Sequence, residues 1–516
     1  IYHDTIAIHT GRSRRAFVVA SERGDAEITF DNLHQRAAKL AMAWAHLGLE
    51  PGKVVAIVLP LHIDALVAIA ACLRVGAVIA LVSPDGPSFV RNRLERLAPD
   101  FLVTNDKFAT WCEAFADKRL AFALPVISDT TPPSHSYQPD EPVFRVLSAF
   151  GEADAEPMDV DAASVHEGLL VSGFVALTLE RSDVLAAPGF SHAQFQPLLL
   201  LSALAAGAAF AEISPQDVIT DATVLERVGV TVLGVCRRVR DGLLAKGDSS
   251  LPGVSKFPKG LRLCFRSLTE AFDLERWFAF QNLAWERKVP ASNIAASNAA
   301  PFVHLFSPPA QPSPGALRVW PVPGRTFAFT EVAAGELPAL RSGGIYTPLV
   351  KDKPADPPGL PAMMLARDTG GYTFAGCVNL GHDAQTYPTD EVARLVETHK
   401  AVRHAVVVLS SANHANDAVV VLIAFTEDSY DKQGRVVPRV LPDDLRALVE
   451  RELGPTLAPD RIEVFPLRPR IVDGVVDVAR CRDQYMSGLL HQKADSELYL
   501  LLSRLGYILA GPVSRG

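Results

Sequence analysis

The chain has 516 residues, 48% of them hydrophobic and 21% charged, which is typical of folded globular proteins and excludes a mainly disordered chain. Its 50 lysines and arginines against 58 acids give a net charge of −8, which disfavours binding to a nucleic-acid backbone as the main role. The six cysteines have no metal-ligand spacing, and no apolar run reaches about 18 residues without a charge, so neither structural zinc nor a membrane span is predicted.

Cysteine usage and the N-terminus bear on the location of the protein. Unpaired cysteine spacing favours a reducing compartment. The first residues, IYHD, lack the basic and apolar regions of a signal peptide. We therefore expect a cytoplasmic protein. The absence of an initiator Met is consistent with processing or with a longer parent chain.

Residues 28–104 alternate between apolar segments and helical patterns. After a strand near residue 28, a helix capped by Asp31 is expected to end at Gly48. Further strands and helices are predicted at Val54–Leu59, His62–Val75, Ala77–Val82, Phe89–Leu97 and Phe101–Thr104. Strands alternating with helices in this way indicate a parallel α/β sheet with right-handed crossovers.

The segment 140–161 differs from its surroundings because it holds seven acids and one base. We interpret it as a solvated acidic loop, with docking of a basic partner as the alternative. The α/β pattern resumes near His166 and continues to Val235, which predicts a second α/β repeat of the same kind.

The remaining chain predicts two smaller units and a tail. Residues 300–375 are rich in Pro, Gly and short β-like runs, which favours a small antiparallel β subdomain. From about residue 385 an α+β unit is expected, ending with the strand Arg461–Phe465. Beyond it, the apolar helix 498–509 is predicted to pack on the core or on another chain.

The predicted fold class is therefore α/β. We expect a large N-terminal domain over residues 1–378, made of two parallel α/β subdomains and the small β subdomain. A small α+β C-terminal domain is expected over 379–485, followed by an extra helical tail over 486–516.

This order of elements resembles the adenylate-forming superfamily, which contains acyl- and aryl-CoA ligases, firefly luciferase and nonribosomal adenylation domains. The similarity extends over about residues 5–485 and is carried by the segments 28–57, 65–84, 187–192, 387–405 and 469–474. The resemblance implies a protein that joins a carboxylate to AMP and then passes the acyl group to a thiol.

The phosphate-binding loop of that family is degenerate in this sequence. The resemblance aligns it with residues 150–159, where only Gly151 and Pro157 match the motif. Met158 stands in the place of the lysine that contacts phosphate. The acids around it add negative charge, and each carboxylate within about 4–6 Å of a triphosphate would repel it by roughly 1–4 kcal/mol.

Five other family motifs depart in the same direction. The adenine- and magnesium-binding segment aligns with residues 294–298, where Ser297 keeps the hydroxyl and Asn298 replaces the acid. Met363 stands near the ribose-binding aspartate, and Val475 replaces the C-terminal catalytic lysine. The bases of the family's hinge are missing at 376–379. The two glycines that let pantetheine pass are His382 and Asp383.

The resemblance also implies which residues would line an acyl pocket. They are Phe190, His192, Phe195, Asn293 and Ser297. His192 is the candidate catalytic residue, and a buried, hydrogen-bonded histidine is the alternative. The two phenylalanines are as consistent with core packing. At the hinge, Cys377 has no adjoining base in sequence, which favours an inert thiol.

These departures favour a non-adenylating relative, a pseudoenzyme-like or repurposed protein that binds an acyl or aryl group, a carrier protein or a partner enzyme. No metal or cofactor is expected, and helix 498–509 is a candidate contact surface. One alternative is an active acyl-CoA or acyl-carrier-protein ligase that uses ATP, Mg²⁺ and coenzyme A. Its replacement groups would be Lys256, Lys259, Lys288, Asp368 and Asp383. A second alternative is acyl-thioester chemistry that uses His192.

Overall fold

A computed structural model of the chain describes most of its residues. The described ranges are 1–20, 24–122, 133–147, 156–190, 197–246, 258–267, 274–285, 289–297, 302–310, 318–323, 327–331, 343–350, 353–354, 362–368, 371–378, 387–411, 418–426, 428–430, 436–438, 441–472 and 475–496. They form two compact units, one built mainly from the chain before residue 380 and the other mainly from the chain after it. The predicted domain limits at 378 and 485 stay predictions.

The strands are named here in chain order. They are β1 Arg15–Val19, β2 Ala26–Thr29, β3 Val54–Val58, β4 Val78–Val82, β5 Phe101–Thr104, β6 Arg119–Leu120, β7 Pro142–Val146, β8 Met158–Asp161, β9 Val184–Ala186, β10 Ala209–Glu212, β11 Val232–Gly234, β12 Leu263–Ser267, β13 Ala291–Ser297, β14 Phe302–Phe306, β15 Arg318–Pro321, β16 Phe327–Glu331, β17 Gly343–Val350, β18 Lys353–Pro354, β19 Ala362–Asp368, β20 Gly371–Val378, β21 Val402–Ser411, β22 Ala418–Thr426, β23 Asp428–Tyr430, β24 Val436–Pro438, β25 Arg461–Phe465, β26 Ile471–Val472 and β27 Val475–Val476.

The helices alternate with these strands along the chain. The α-helices are Tyr2–Thr5, Phe30–His46, Ile63–Val75, Pro87–Leu97, Ala162–Leu170, Leu198–Ala205, Pro215–Thr220, Thr223–Val228, Arg237–Lys246, Leu274–Trp285, Thr389–Glu397, Pro442–Glu452, Val478–Met486 and Leu489–Ala494. A π-helical turn, Val171–Ala176, continues the helix Ala162–Leu170.

A six-stranded sheet in the first unit has the order β6-β5-β3-β4-β7-β8. All of its pairs are parallel except the last, because β8 runs antiparallel to β7. Every residue of β3 is buried, as expected of a parallel strand covered on both faces. This confirms the parallel sheet predicted from the apolar runs.

A larger sheet in the same unit has the order β16-β17-β19-β20-β15-β14-β13-β12-β11-β9-β10-β1-β2, with β18 on β17. The six strands from β13 to β1 in this order are parallel. From β13 to β16 each pair is antiparallel. The predicted antiparallel strands over 300–375 are thus present, but they are hydrogen-bonded to the parallel sheet rather than forming a separate sheet.

The second unit is an α+β fold. Strand β22 pairs antiparallel with β21 and parallel with β25. The helices Thr389–Glu397 and Pro442–Glu452 bury Val392, Val396, Leu445 and Val449 with Leu422 of β22. The strand β25 lies at its predicted limits, Arg461–Phe465. Residues 498–509, where a further helix was predicted, lie outside the described part of the chain.

Two local predictions were wrong. The helix Phe30–His46 is capped by Thr29, whose hydroxyl accepts a hydrogen bond from the Asn32 N–H. The Asp31 carboxylate instead accepts the backbone N–H groups of Gly11 and Ser13. The segment 140–161 is also not one solvated loop, because it contributes β7 and β8 to the six-stranded sheet.

No helix among the described residues is long and apolar enough to cross a membrane. Within the described ranges, no group of three or more His, Cys, Asp or Glu side chains is placed to hold a metal ion.

Candidate functional site

The carboxyl ends of four parallel strands meet at one edge of the larger sheet. The register pairs Ala186 of β9 with Leu233 of β11, Gly234 of β11 with Phe265 of β12, and Ser267 of β12 with Ile294 of β13. In open α/β sheets, ligands bind outside the carboxyl ends of the strands. We therefore place the candidate site at this carboxyl edge.

A small pocket at the carboxyl edge is lined by arginine side chains. Its lining residues are Val235, Cys236, Arg237, Arg240, Arg266, Ser267 and Trp277. We call it the arginine pocket. Its residues come from three places in the chain: the turn after β11 with the start of the helix Arg237–Lys246, the end of β12, and the helix Leu274–Trp285.

The guanidinium groups of the arginine pocket are deeply placed. Arg240 and Arg266 are each only 4% exposed. The guanidinium carbon of Arg266 lies 5.8 Å from the centre of the Trp277 ring, within the distance at which a cation is attracted to an aromatic face. Trp277 in turn stacks on Phe280 at 5.7 Å between ring centres. Burial of charged groups is costly, so such groups normally contact a counter-charge or a ligand.

One carboxylate serves three of the arginines around this pocket. The Asp241 carboxylate lies 2.9 Å from Arg240 Nε, 3.5 Å from Arg237 Nε and 3.8 Å from Arg276 Nη1. Arg240 adds a second contact, from Nη2, at 3.2 Å. Three guanidinium groups therefore meet at one carboxylate at this edge.

The strands β7 and β8 form a hairpin where the sequence aligns with a phosphate-binding loop. Met158 is the first residue of β8 and lies opposite Val146 of β7. The next pair is Arg145 and Asp159, whose side chains form two hydrogen bonds of 2.7 and 2.8 Å. This contact raises the pKa of Arg145. Pro157 precedes β8 and is half-buried, while Gly151 lies outside the described residues.

The acids of this segment are engaged in local contacts. Asp161 caps the helix Ala162–Leu170, since its Oδ1 accepts the Ser164 N–H at 2.8 Å. Glu141 contacts His135 Nε2 at 2.8 Å. Together with Asp159, three of the seven acids have partners of their own. Of the acids aligned with the phosphate-binding loop, Asp159 thus has a counter-charge, while Glu152 and Asp154 lie outside the described residues and the predicted repulsion stays a prediction.

The second unit contains the other position at which a lysine was expected. Val475 begins β27, pairs in register with Val472 of β26, and is 67% exposed. Its neighbour Gly474 lies outside the described residues. An aliphatic side chain on an exposed hairpin offers neither charge nor hydrogen-bond donor to a ligand.

Fold-level similarity to known proteins is extensive. The structure superposes on an amide bond synthetase from Marinactinospora thermotolerans with a TM-score of 0.71, covering 94% of this chain and 98% of that one at 16% identity. A benzoate CoA ligase from Burkholderia xenovorans gives a TM-score of 0.60, with 93% and 99% covered at 16% identity. Likeness at this identity concerns the fold.

A match to a protein-family model adds sequence evidence. Residues 7–142 match the AMP-binding enzyme family. Over this quarter of the chain the sequence is similar to the AMP-binding enzymes of the adenylate-forming superfamily. This confirms the resemblance drawn from the order of the sequence motifs, and with it the general relation to acyl- and aryl-CoA ligases.

Curated members of the superfamily match over short segments. A segment of 89 residues is 34% identical to acetyl-coenzyme A synthetase from Xylella fastidiosa and covers 17% of this chain and 14% of that relative. Another, of 68 residues, is 41% identical to acetyl-coenzyme A synthetase from Methylobacillus flagellatus and covers 13% and 10%. The alignments thus span a small part of these relatives' length.

The residues predicted to line an acyl pocket are only partly described. Phe190 follows β9, is buried, and packs on Phe265 with 5.3 Å between ring centres. Gly234 lies against both rings, since a Cβ there would come within 2.9 Å of each. Phe190 therefore belongs to the packed core behind the edge. His192 and Phe195 lie outside the described residues, and their predicted roles stay predictions.

Asn293 and Ser297 lie on β13. The side-chain amide and the backbone N–H of Asn293 both donate to the Ser307 hydroxyl, at 2.9 and 2.8 Å. Ser292 donates to the Ser307 carbonyl at 2.6 Å. These contacts link β13 to the turn after β14, so Asn293 has a structural role. Ser297 ends β13, and Asn298 lies outside the described residues.

The remaining family positions fall on the antiparallel strands. Met363 of β19 pairs in register with Cys377 of β20, and Asp368 pairs with Gly371 where the two strands meet. The hinge predicted near residue 377 thus begins within a strand. The predicted inertness of the Cys377 thiol stays a prediction.

The replacement groups proposed for an active ligase are placed unfavourably or not described. Lys259 lies in the turn before β12, at the amino end of that strand and away from the carboxyl edge. It is therefore not a replacement for the phosphate-binding lysine. Lys256, Lys288 and Asp383 lie outside the described residues.

The arginine pocket is the feature that sequence reasoning missed. A signal was available, because the run RRVR at 237–240 follows directly on the buried strand β11. A basic run in a strand-to-helix turn places cations at the carboxyl edge of a parallel sheet. Arg266 gives a second signal, at the end of the apolar segment of β12.

The described thiols of this unit outside the pocket are unsuited to nucleophilic chemistry. Burial raises the pKa of Cys264 to about 12 and that of Cys112 to about 11. It also raises the pKa of Cys72. A thiol must ionise to act as a nucleophile, so these three are structural.

Proposed function

We propose that this chain is a relative of acyl- and aryl-CoA ligases that does not form adenylates by the mechanism of its superfamily. In this proposal it binds an acyl or aryl group, a carrier protein or a partner enzyme. The observation that carries the proposal is the pair of positions Met158 and Val475. Both stand where the superfamily resemblance expects a lysine, and both begin ordered strands.

The chemistry of adenylation explains why these two positions matter. Attack of a carboxylate on a nucleotide phosphate places negative charge on both reactants, and preorganised cations stabilise the charge that develops. A thioether and an isopropyl group cannot provide that charge. ATP and Mg²⁺ therefore do not fit the residues present at the β7–β8 hairpin.

Repulsion by acids adds little to this proposal. Asp159 is paired with Arg145 and Asp161 caps a helix, so the missing cations are the stronger support. No coenzyme A, nucleotide or metal is expected to act as a cofactor in this proposal.

Pyrophosphate release and nucleotide-dependent stability test the proposal. The full chain is incubated with ATP, Mg²⁺ and a panel of acids that includes acetate, benzoate and longer acyl chains. We expect no pyrophosphate above the level without protein and no shift in melting temperature with ATP. A ligand at 100 times its Kd would stabilise the fold by about 2.7 kcal/mol, so nucleotide binding would be visible. Acid-dependent pyrophosphate release by the wild type would overturn the proposal.

Restoring the cations provides a matched comparison. The double variant Met158→Lys, Val475→Lys is expected to gain ATP-dependent stabilisation, because a charged hydrogen bond contributes roughly 1.5–3 kcal/mol. Met158→Gln, Val475→Gln adds polarity without charge and is the control. Equal responses of the wild type and the lysine variant to ATP would contradict the role assigned to these positions.

One observation favours a second candidate, an active ligase with altered motifs. The arginine pocket brings cations to the carboxyl edge, and guanidinium groups pair with phosphate as well as with carboxylate. The pyrophosphate assay separates the two candidates, because only the second predicts a signal from the wild type.

A further inference from the structure

We infer that an exposed apolar surface on the helix Ala162–Leu170 and its π-helical turn is a docking site for a second copy of this chain. We call it the apolar surface, and it consists of Ile8, Leu170, Phe174 and Val175. The inference goes beyond the proposed function and does not depend on it, because it concerns association of the chain and not its chemistry.

Large apolar side chains cluster on this surface. The four side chains are between 36% and 58% exposed, although each belongs to a residue type that is usually buried. Single exposed apolar residues are ordinary on a protein surface, whereas a contiguous group commonly marks an interaction site. The clustering is therefore the first argument for a docking site.

The π-helical turn widens the apolar stripe of the helix. Within it the Leu177 N–H donates to the Ser172 carbonyl, five residues before it, at 3.1 Å. Residues four and five positions apart then lie near the same helical face, so that Phe174 and Val175 both lie beside Leu170. Turns of this kind are rare and occur frequently at functional sites.

The inner side of the same turn is fixed against a neighbouring helix. Gly173 is buried, and a Cβ at this position would come within 3.1 Å of the backbone oxygen of Ser202. Ser202 belongs to the helix Leu198–Ala205. Because this packing holds the turn in place, a partner would bind the apolar surface without the entropic cost of ordering a loop.

Two contacts place the N-terminal segment along this helix. At one end, Asp4 Oδ2 lies 3.9 Å from His166 Nδ1. At the other end, Arg181 lies near His9, because burial is the main cause that lowers the pKa of His9 and the charge of Arg181 lowers it further. Ile8 precedes His9, so the apolar surface lies between these two contacts.

The two ends of the apolar surface carry opposite charges. The Asp4 carboxylate is half-exposed at one end. Arg12, Arg14 and Arg181 lie at the other end, where burial and the charges of Arg181 and Arg12 lower the pKa of Arg14. A carboxylate placed beside these three guanidinium groups would offset the repulsion among them.

Uncharged groups hold the Arg14 side chain at this end. Its Nη1 donates to the Gly207 carbonyl at 3.2 Å. The one acid that adjoins the three arginines in sequence, Glu180, acts on Arg262, whose pKa is raised mainly by its hydrogen bond to Asp183 and further by Glu180. The arginine end is therefore suited to accept a carboxylate from another molecule.

A surface with this arrangement is complementary to itself. In a two-fold symmetric pair each subunit contributes the same surface, so one end of it meets the opposite end of the other copy. The arginine end of one copy then faces the Asp4 end of the other, while the apolar residues of both copies are buried together. An anionic membrane would attract the arginine end and repel the Asp4 end, so a second copy is the better fit.

The position of Phe174 agrees with such a pair. It lies about midway along the chain between His166 and Arg181, and hence near the two-fold axis that this arrangement requires. Two copies of an aromatic ring at such an axis can pack on each other. Phe174 is therefore the expected centre of the interface.

Sedimentation velocity of the full chain tests the inference. The mean mass is measured over a wide range of protein concentrations at constant salt, without nucleotide. We expect it to rise from that of one chain towards that of two, because every molecule carries both halves of a two-fold interface. Flotation with vesicles of phosphatidylglycerol and phosphatidylcholine tests the alternative occupant, and we expect no binding to them.

A variant of the apolar surface and a control locate the interface. Leu170→Ser combined with Phe174→Ser should weaken self-association at least about tenfold, since central aromatic residues commonly dominate an interface and are lost from both copies. Leu47 is similarly exposed and follows the 17-residue helix Phe30–His46, whose first residue packs on His9. It lies roughly 25 Å from that end of the helix, and Leu47→Ser should change self-association less than about twofold.

Reversing the charge at each end tests the two-fold arrangement. Arg181→Glu and Asp4→Lys should each weaken self-association by roughly three- to tenfold, because each places like charges opposite one another in the pair. The double variant should return to within about threefold of the wild type, since opposite charges again face each other. Circular dichroism of every variant checks that it is folded.

Three results would overturn the inference. One is a mass that stays that of a single chain at every concentration, whether or not the chain binds vesicles. Another is equal weakening by Leu47→Ser and by the variant of the apolar surface. The third is a double charge variant that associates no better than the single ones. None of these depends on ATP, so failure here is distinguishable from failure of the proposed function, which pyrophosphate release decides.

Discussion

The two edges of the larger parallel sheet use charged side chains in different ways. At the amino edge, Asp183, Thr231 and Arg262 each precede a strand, β9, β11 and β12 respectively, and bind one another. There one carboxylate meets one guanidinium. At the carboxyl edge of the same strands, the Asp241 carboxylate is shared by three guanidinium groups.

The amino edge is a closed network. Arg262 Nε donates to Asp183 Oδ1 at 2.8 Å, the Thr231 hydroxyl donates to the same oxygen at 2.7 Å, and the Glu180 N–H donates to Oδ2 at 2.7 Å. Burial acts to raise the pKa of Asp183, but these hydrogen bonds together hold it below its ordinary value. A hydrogen-bonded network of this kind holds three strand ends together, so we assign it a structural role.

The arginines at the carboxyl edge differ from one another in burial. Arg240 and Arg266 are as deeply buried as Asp183, whereas Arg237 and Arg276 are partly exposed. Buried charges are normally paired. The Asp183 network therefore has a structural role, whereas the arginines around Asp241 lie at the edge where the candidate site is placed.

Removing the guanidinium group from the amino edge is the strongest test of this contrast. Arg262→Met leaves the Asp183 carboxylate, which is 3% exposed, without its counter-charge. We expect the free energy of unfolding to fall by about 3–5 kcal/mol, as for other broken buried ion pairs. Denaturant unfolding of the wild type and the variant measures the difference.

The surface pair of Arg227 and Asp25 provides the control for that experiment. Both side chains are partly exposed, and exposed ion pairs contribute about 0–1 kcal/mol. Arg227→Met should therefore change stability by less than about 1 kcal/mol. Similar losses in the two variants would show that the amino-edge network has no special role.

A buried carboxyl group at the carboxyl edge gives the second prediction. Glu212 ends β10, and burial raises its pKa from 4.5 to about 8. Between those pH values the folded state retains a proton that the unfolded state has lost, so this group makes stability fall as pH rises. Glu212→Gln should be more stable than the wild type at pH 8–9 by roughly 2–4 kcal/mol, since one pKa unit corresponds to about 1.4 kcal/mol.

Thermal unfolding between pH 4 and pH 9 checks this prediction. The stability difference between Glu212→Gln and the wild type should shrink towards pH 4, where both side chains are neutral. Glu95→Gln, on an exposed position of the helix Pro87–Leu97, should show no such trend. A wild-type stability that stays level across the window would contradict the raised pKa.

Local signals in the sequence were sufficient for most of the fold. The helix Ile63–Val75 begins one residue after its predicted start, and β3 ends one residue before the predicted end of its apolar run. The cap of the helix Phe30–His46 was not predictable in the same way. Thr29 and Asp31 both carry side-chain acceptors, and the choice depends on the loop at 11–13, which engages Asp31.

Functional features depended more on contacts between distant residues. Asp159 could be counted as an acid, but its pairing with Arg145 follows from the hairpin register, 14 residues away. Arg240 and Arg266 lie 26 positions apart, and only the parallel pairing of β11 with β12 brings them to one pocket. Counting charges along the chain therefore does not show which charged side chains the fold brings together.

The smallest expected effect tests the boundary between packed core and pocket at the carboxyl edge. A Cβ at Gly234 would come within 2.8 Å of the Phe265 ring and 2.9 Å of the Phe190 ring, closer than packed carbons approach. Gly234→Ala should therefore destabilise the fold by roughly 1–3 kcal/mol. The double variant Gly234→Ala, Phe190→Leu removes part of the obstructing ring and should recover some of the lost stability. If the single variant is as stable as the wild type, the Phe190 ring can move aside. Phe190 would then be a residue that can line a ligand pocket and not a fixed part of the core.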